Sequence, residues 1–414
     1  MKFSRIYLNT QYSLLNTKNY FCFMPRYLSA NYIFPVSSDP IKDGIVVIGD
    51  SGEIIDLIDG GSSLEISATL EHYEGIIVPG FVNSHCHLEL SHLFGKIQKG
   101  TGLVSFISEV ISQRLANEDQ IVAAMKTYDQ LMFAHGIVAV GDISNNKFSK
   151  SVKQNSQIYY HTFIELLGFD PLRAETVFQK ALDLKAEFAP LPASFAPHAP
   201  YSVSAELFSI LSNYAEDHEN LFSMHNQETE SENEFFLNKS GAFIDFYKML
   251  NLDMSFFEAQ SKTSLQAVLP LFPFNQKILL VHNTFTNLED IVAVKHSKKN
   301  ITWCLCPNAN LYIEQRLPDL ALFINSELNI TVGTDSLASN DKLCILSELK
   351  TIKEYFSELP SSQIIRWATL NGAQFLGIDS KFGSIEKGKT PGLNLISQVN
   401  GTEITHLSQI QRLI

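Results

Sequence analysis

No apolar run in the chain approaches the roughly 20 residues that a bilayer-spanning helix needs, so no membrane-embedded segment is expected. Positive charge is short. With 31 Lys and Arg against 44 Asp and Glu, the net charge of −13 argues against nucleic acid or an anionic membrane as the main partner. Cysteine is sparse as well: Cys22, Cys86, Cys304, Cys306 and Cys344 are an odd set without disulfide-framework spacing. Cys304 and Cys306 lack a second pair to complete a zinc site, and a reduced cytoplasmic setting fits best. Residues 1–25 lack a continuous apolar stretch and a small-residue cleavage site, so no signal peptide is read there. Met24 is a candidate true start, which would make the residues before it an upstream extension.

What is present points to a globular enzyme. At 414 residues, 45% hydrophobic and 18% charged, the chain suits one large domain with a smaller one. Residues 26–77 are short, β-rich and turn-punctuated, with a hairpin signal at Gly49-Asp50-Ser51-Gly52. Residues 379–414 have the same character, so both ends are expected to share one small β-domain around a large domain, 78–378. In that large domain eight apolar runs alternate with helix-length segments such as 172–188, 204–218 and 342–357. The runs are 76–82, 137–142, 158–166, 193–199, 221–225, 277–282, 301–306 and 329–335. Near-continuous apolar strands alternating with helices imply a buried parallel sheet, and eight of them predict an α/β fold of the (β/α)8 TIM-like barrel type. The alternative, a doubly wound open sheet, lacks a Gly-x-Gly-x-x-Gly after its first strand.

Polar residues recur where these runs stop. His85 and His87 follow the first run, His198 the fourth, His225 the fifth, His282 the sixth and Asp335 the eighth. Residues two apart in extended backbone face the same way, so His85 and His87 can address one ion. Barrel strands end on one face, which brings residues some 250 positions apart into one pocket. His85, His87, His225 and Asp335 make a mixed nitrogen and oxygen shell suited to one divalent ion, zinc or iron, with a position left for water. No lysine ends a strand where a bridge between two metals would sit. Asp335 can also accept a water proton, His282 can orient the nucleophile, and Glu228 stands where it can shuttle protons. Glu230, Glu232 and Glu234 read as a solvated helix face. Glu89 and Glu165 divide evenly between facing a substrate and serving as structural acids. Asn308 and Asn310 are expected to organise a loop, and Ser336 to support Asp335.

The stretches PGFVNSHCHLELSH, HGIVAVGD, APHAPYSVS, HNQE, VHNT, CPNANLYI, TVGTDSLASND and ATLNGAQFLGI together resemble the amidohydrolase superfamily, in its mononuclear-metal aminohydrolase branch. The resemblance runs from about residue 28 to residue 395. It implies that His85, His87, His225 and Asp335 hold zinc or iron, that Glu228 and His282 handle protons, and that His198 contacts a heterocycle. The block stands closest to deaminases of S-adenosylhomocysteine, methylthioadenosine and aminodeoxyfutalosine, which implies a small-molecule heterocyclic substrate and loss of ammonia. Deaminases of guanine, pterins or cytosine, hydrolysis of a cyclic amide and dechlorination of a triazine stay open beside it. A degenerate barrel kept for binding predicts missing ligands, and none is missing. Relatives of this kind assemble as dimers or larger, so a homodimer is open. One departure, Pro391-Gly392-Leu393-Asn394 where Ala-Asp is usual, falls in the small β-domain.

Overall fold

The computed structural model describes residues 25–60 and 69–414; the proposed extension ahead of Met24 lies outside them. Strands β1 (Arg26–Ile33), β2 (Ile41–Lys42), β3 (Ile45–Ile48), β4 (Ile54–Ile58) and β5 (Leu70–Pro79) come first. Eight more follow: β6 (Phe81–Cys86), β7 (Ile137–Ser144), β8 (Tyr159–Leu166), β9 (Ala193–Pro197), β10 (Phe222–Asn226), β11 (Lys277–His282), β12 (Asn300–Leu305) and β13 (Ile330–Val332). The chain ends with β14 (Leu393–Ser397) and β15 (Gln409–Arg412).

The first five strands and the last two build one sheet, in the order β15-β14-β5-β1-β3-β4 with β2 on the side of β1. Leu28, Val46, Ile48 and Ile77 share its core with Ile385 and Leu393, so opposite ends of the chain close one apolar layer. The expected hairpin joins β3 to β4, antiparallel. One boundary differs from the sequence reading. The run 76–82 is not one barrel strand: Ile76–Pro79 belong to β5 of the small sheet, and the barrel begins at Phe81. Proline cannot donate to a ladder, and the chain changes layers at Gly80, whose N–H meets the Pro391 and Gly392 carbonyls at 3.2 Å. A Cβ at Gly80 would stand 2.6 Å from the Pro391 oxygen. Asn394, at the departure from the family pattern, donates from Nδ2 to the Gly136 carbonyl at 2.9 Å and ties the small sheet to the turn before β7.

The barrel is two parallel four-stranded halves, β6-β7-β8-β9 and β10-β11-β12-β13. Along β11 the side chains alternate: Leu279 and Val281 pack with Val82, Phe163 and Cys304, whereas Ile278 and Leu280 pack with the helix residues Leu265 and Ile291. Both faces are covered, and β7 is buried at every residue. The halves close at two seams. At one, the His225 N–H donates to the His198 carbonyl at 2.9 Å; at the other, Cys86 bridges in parallel to Asp335. Both seams lie at strand C-terminal ends, where a (β/α)8 barrel builds its site. No helix among the described residues is long and apolar enough to cross a membrane.

Candidate active site

The structure brings His85, His87, His225 and Asp335 together with one ligand atom of each within 4.8 Å of the others. His87 Nε2 lies 3.2 Å from His85 Nε2 and 3.2 Å from His225 Nε2. Asp335 Oδ1 is 3.5 Å from both His85 Nε2 and His87 Nε2. Ligands held tetrahedrally at roughly 2.0–2.1 Å from zinc sit roughly 3.3 Å apart, so this donor set fits such an ion. Protonation agrees with it. Burial pushes the His87 imidazole down to about 4 and His225 well below its usual range, while burial of Asp335 is outweighed by the surrounding histidines, which keep it ionised. Neutral imidazoles and a carboxylate are the forms a metal binds. His225 Nδ1, 2.8 Å from the His198 carbonyl, must carry the proton there, which turns the Nε2 lone pair toward the cluster. Glu165 and His198 also approach His225, but the commitment of Nδ1 leaves that ring one lone pair, consistent with a single ion.

Glu228 and His282 face the same cavity, with Glu228 Oε1 3.6 Å from His282 Nε2. Burial, then repulsion from Asp335, raises Glu228 well above an ordinary carboxyl, which favours its protonated form. His282 Nδ1 donates to Asn310 Oδ1 at 2.8 Å, because the Asn310 amide nitrogen is turned to the His282 carbonyl at 3.3 Å. Burial brings His282 down to about 4, leaving Nε2 free to accept. The backbone here is unusual. Gln227, His282, Asn283 and Asp335 have φ of 45°, 72°, 59° and 56°, a region non-glycine residues seldom adopt.

On the opposite wall, His198 Nδ1 is 2.7 Å from Ser202 Oγ. Glu165 accepts on Oε2 from Asn145 Nδ2 at 2.7 Å, and its other oxygen is buried without a partner. Burial pushes Glu165 up, but His198 and His87 outweigh it and leave the group low. Glu89 takes up both of its expected positions, beside the cavity and in an ion pair, with Arg114 at 3.6 Å. Its Oε2 also accepts from the Asn145 N–H and Asn146 Nδ2, each at 3.0 Å.

Two readings need correction. Glu232 is not on a solvated face: it is fully buried and accepts the main-chain N–H groups of Gln227 at 2.9 Å and Glu228 at 3.3 Å. Ser339, not Ser336, touches Asp335 Oδ2, and Ser336 reaches it only through the Ser339 hydroxyl. Sequence reasoning missed Arg114, Asn145, Asn146, Glu348 and Ser339. The polar pair Asn145-Asn146 right after β7 was a readable signal; Arg114, at the end of an amphipathic helix, carried none.

The amidohydrolase family model matches residues 76–412. The chain is 28% identical over 366 residues to a Helicobacter pylori adenosine deaminase, covering 84% of this chain and 87% of that one. Its fold is similar to the crystal structure of Helicobacter pylori aminofutalosine deaminase in complex with methylthio-coformycin, at TM-score 0.76 and 24% identity over 92% of this chain and 93% of that one. It is also similar to an adenosine deaminase from Xanthomonas campestris with bound zinc, at TM-score 0.70 and 20% identity over 90% of this chain.

Proposed function

The chain belongs to the amidohydrolase family, and on that premise we propose that it is a metal-dependent deaminase of an adenosine-type nucleoside carrying a modified 5′ position. The observation that carries this is that His85, His87, His225 and Asp335 converge beside a cavity lined by Glu228, whose carboxyl burial raises well above the ordinary range. When bound by His85, His87, His225 and Asp335, a divalent cation, which we take to be zinc, supplies a nucleophile from water at neutral pH.

The chain's own groups account for the protons. Water adds to the amidine carbon and ammonia leaves it, so one proton must reach the ring nitrogen and another the departing amino group. Glu228 holds the first at its carboxyl and delivers it to the ring nitrogen. Asp335, beside His282 Nε2, accepts the first water proton and returns it through Glu228 to the leaving amine; the second water proton, on the hydroxyl of the adduct, passes to Glu228 as the carbonyl forms, so Glu228 ends as it began. His198 hydrogen-bonds the heterocycle. The free oxygen of Glu165 is an acceptor only, and a sugar hydroxyl matches it.

A nucleoside is favoured over a free base by the shape of the wall. Past His198 and Tyr201 the cavity continues into an apolar recess bounded by Ile107, Ile111, Leu167, Phe246 and Tyr247. A free base would leave that recess unfilled, whereas an apolar 5′ substituent buries there at about 25 cal/mol per Å2. The buried cysteines among the described residues are free thiols, which supports a reducing cytoplasmic setting.

The test is ammonia release by zinc-loaded protein offered adenosine, 5′-deoxyadenosine, methylthioadenosine, S-adenosylhomocysteine, aminodeoxyfutalosine, guanine and cytosine. Turnover of a 5′-modified nucleoside, lost in Glu228→Gln, is expected. Turnover of a free base alone, or silence with one equivalent of metal bound, would overturn the proposal.

A further inference from the structure

We propose that Glu348 is a positioning residue whose single buried carboxyl group holds Asp335 and His282, which stand at the ends of different strands, in register with each other. The inference rests on the roles given to Asp335 and His282 above.

Glu348 lies in the first turn of the helix Ile345–Tyr355 and is fully buried. Three N–H donors converge on it. Oε2 accepts from the Asn308 main-chain nitrogen at 2.9 Å, and Oε1 accepts from Asn308 Nδ2 at 2.9 Å and Asn340 Nδ2 at 2.8 Å. None of the ion pairs among the described residues includes it. Burying an acid without a cation is costly, so the site has a use for the acid itself. Glutamine could not replace it. An amide offers one acceptor oxygen and would turn its NH2 against one of the three donors.

The two donor residues lead to different parts of the proton path. Asn340 also donates from Nδ2 to the Thr334 carbonyl at 2.8 Å, next to Asp335. The N–H groups of Thr334 and Asp335 in turn both bind the His85 carbonyl at 3.1 Å. The other branch enters the helix Pro307–Glu314 at Asn308; two residues on, Asn310 holds His282 Nδ1 and the His282 carbonyl. Both end points, Asp335 and His282, are in left-handed backbone that the surroundings must hold. Among the described residues, Glu348 is the one group bonded to both Asn308 and Asn340.

Glu348→Gln, Asn340→Ala and their double variant test this, with Asp341→Asn as an exposed control in the same loop. With the nucleoside that wild type turns over fastest, kcat of Glu348→Gln should fall about 10- to 100-fold with KM within about threefold. The visible spectrum of cobalt(II)-substituted protein should shift, because Asp335 is displaced, and the control should match wild type. Asn340→Ala cuts one branch, so the double variant should be no slower than Glu348→Gln. A folded Glu348→Gln with kcat within twofold of wild type and an unmoved cobalt spectrum overturns the proposal, as do losses that multiply. If Glu348→Gln does not fold, Asn340→Ala decides: wild-type kcat and spectrum in that variant overturn it. A wild type silent on every nucleoside would sink the deaminase reading, while the cobalt spectrum would still judge Glu348.

Discussion

The two halves of the barrel reach the same cavity by different means. Apart from the clustered His85 and His87, the β6–β9 half contributes Glu89 and Glu165, which meet through Asn145, and His198, whose ring meets Ser202 Oγ. Among the described residues, no non-glycine residue between Asp43 and Gln227 has positive φ. The β10–β13 half contributes Glu228, His282 and Asp335, with left-handed backbone at Gln227, His282, Asn283 and Asp335, and buried acids behind it at Glu232, Asp290 and Glu348. Side chains in ordinary backbone can yield by a few tenths of an ångström; left-handed backbone held by buried acids yields less. The first half is therefore suited to recognising substrate and the second to holding reacting groups still.

The largest effect expected from this contrast is at Glu228. Glu228→Gln should lower kcat about 10²- to 10⁴-fold with unchanged thermal stability, read by steady-state ammonia release and calorimetry. Next is the ion that joins the halves. Dialysis against a chelator should abolish turnover and lower unfolding free energy by about 2.7 kcal/mol relative to protein at a metal concentration 100 times Kd, with zinc restoring both. Glu165→Gln should act on KM, raising it roughly tenfold with kcat within about threefold; a kcat loss as deep as that of Glu228→Gln would break the contrast.

The smallest effect is a slope. Burial raises Glu232 to about 7, above its usual value near 4.5. Between those values the folded chain keeps a proton that the unfolded chain has lost, so this group's contribution to stability is complete below about 4.5 and lost as pH rises through 7. Stability should therefore fall with pH in that window by up to about 1.4 kcal/mol per pH unit from this group. Glu232→Gln should flatten the slope in denaturant titrations at pH 5, 6 and 7; an unchanged slope would show that Glu232 is not the group responsible.

The barrel and the convergence of His85, His87, His225 and Asp335 were legible because each stands where an apolar run ends, and a run's end maps to one face of the fold. The acids behind the site were not. Glu230, Glu232 and Glu234 recur every second residue, which is one face of a strand; on a helix, Glu232 points away from the other two. Treating the three as one face applied the wrong period, and the helix Glu230–Asn238 buries Glu232 alone of them. Glu348 falls in the buried stripe Ile345, Leu349 and Ile352 of its helix, so the helical period places an acid inward but does not say what it holds. Its role exists only through Asn308 and Asn340, and such three-body contacts leave no spacing signature. The split at Gly80 was hidden because β5 and β6 are both apolar and only two residues, Pro79 and Gly80, mark the change of layer.

The seam between Cys86 and Asp335 also bears on how the chain reaches its fold. It joins the first barrel strand to the segment after the last, across about 250 residues, and of the four clustered side chains Asp335 lies in it and His85 next to it. Contacts this distant in sequence form late, since the loop between them must be ordered before they are rewarded. During synthesis His85 and His87 emerge long before their partners, and two imidazoles alone bind an ion weakly. Tight capture of the proposed ion would await β13, so such an ion would latch a finished barrel and not seed one. A chain released before residue 335 would leave the first and last strands unlatched and open to proteases.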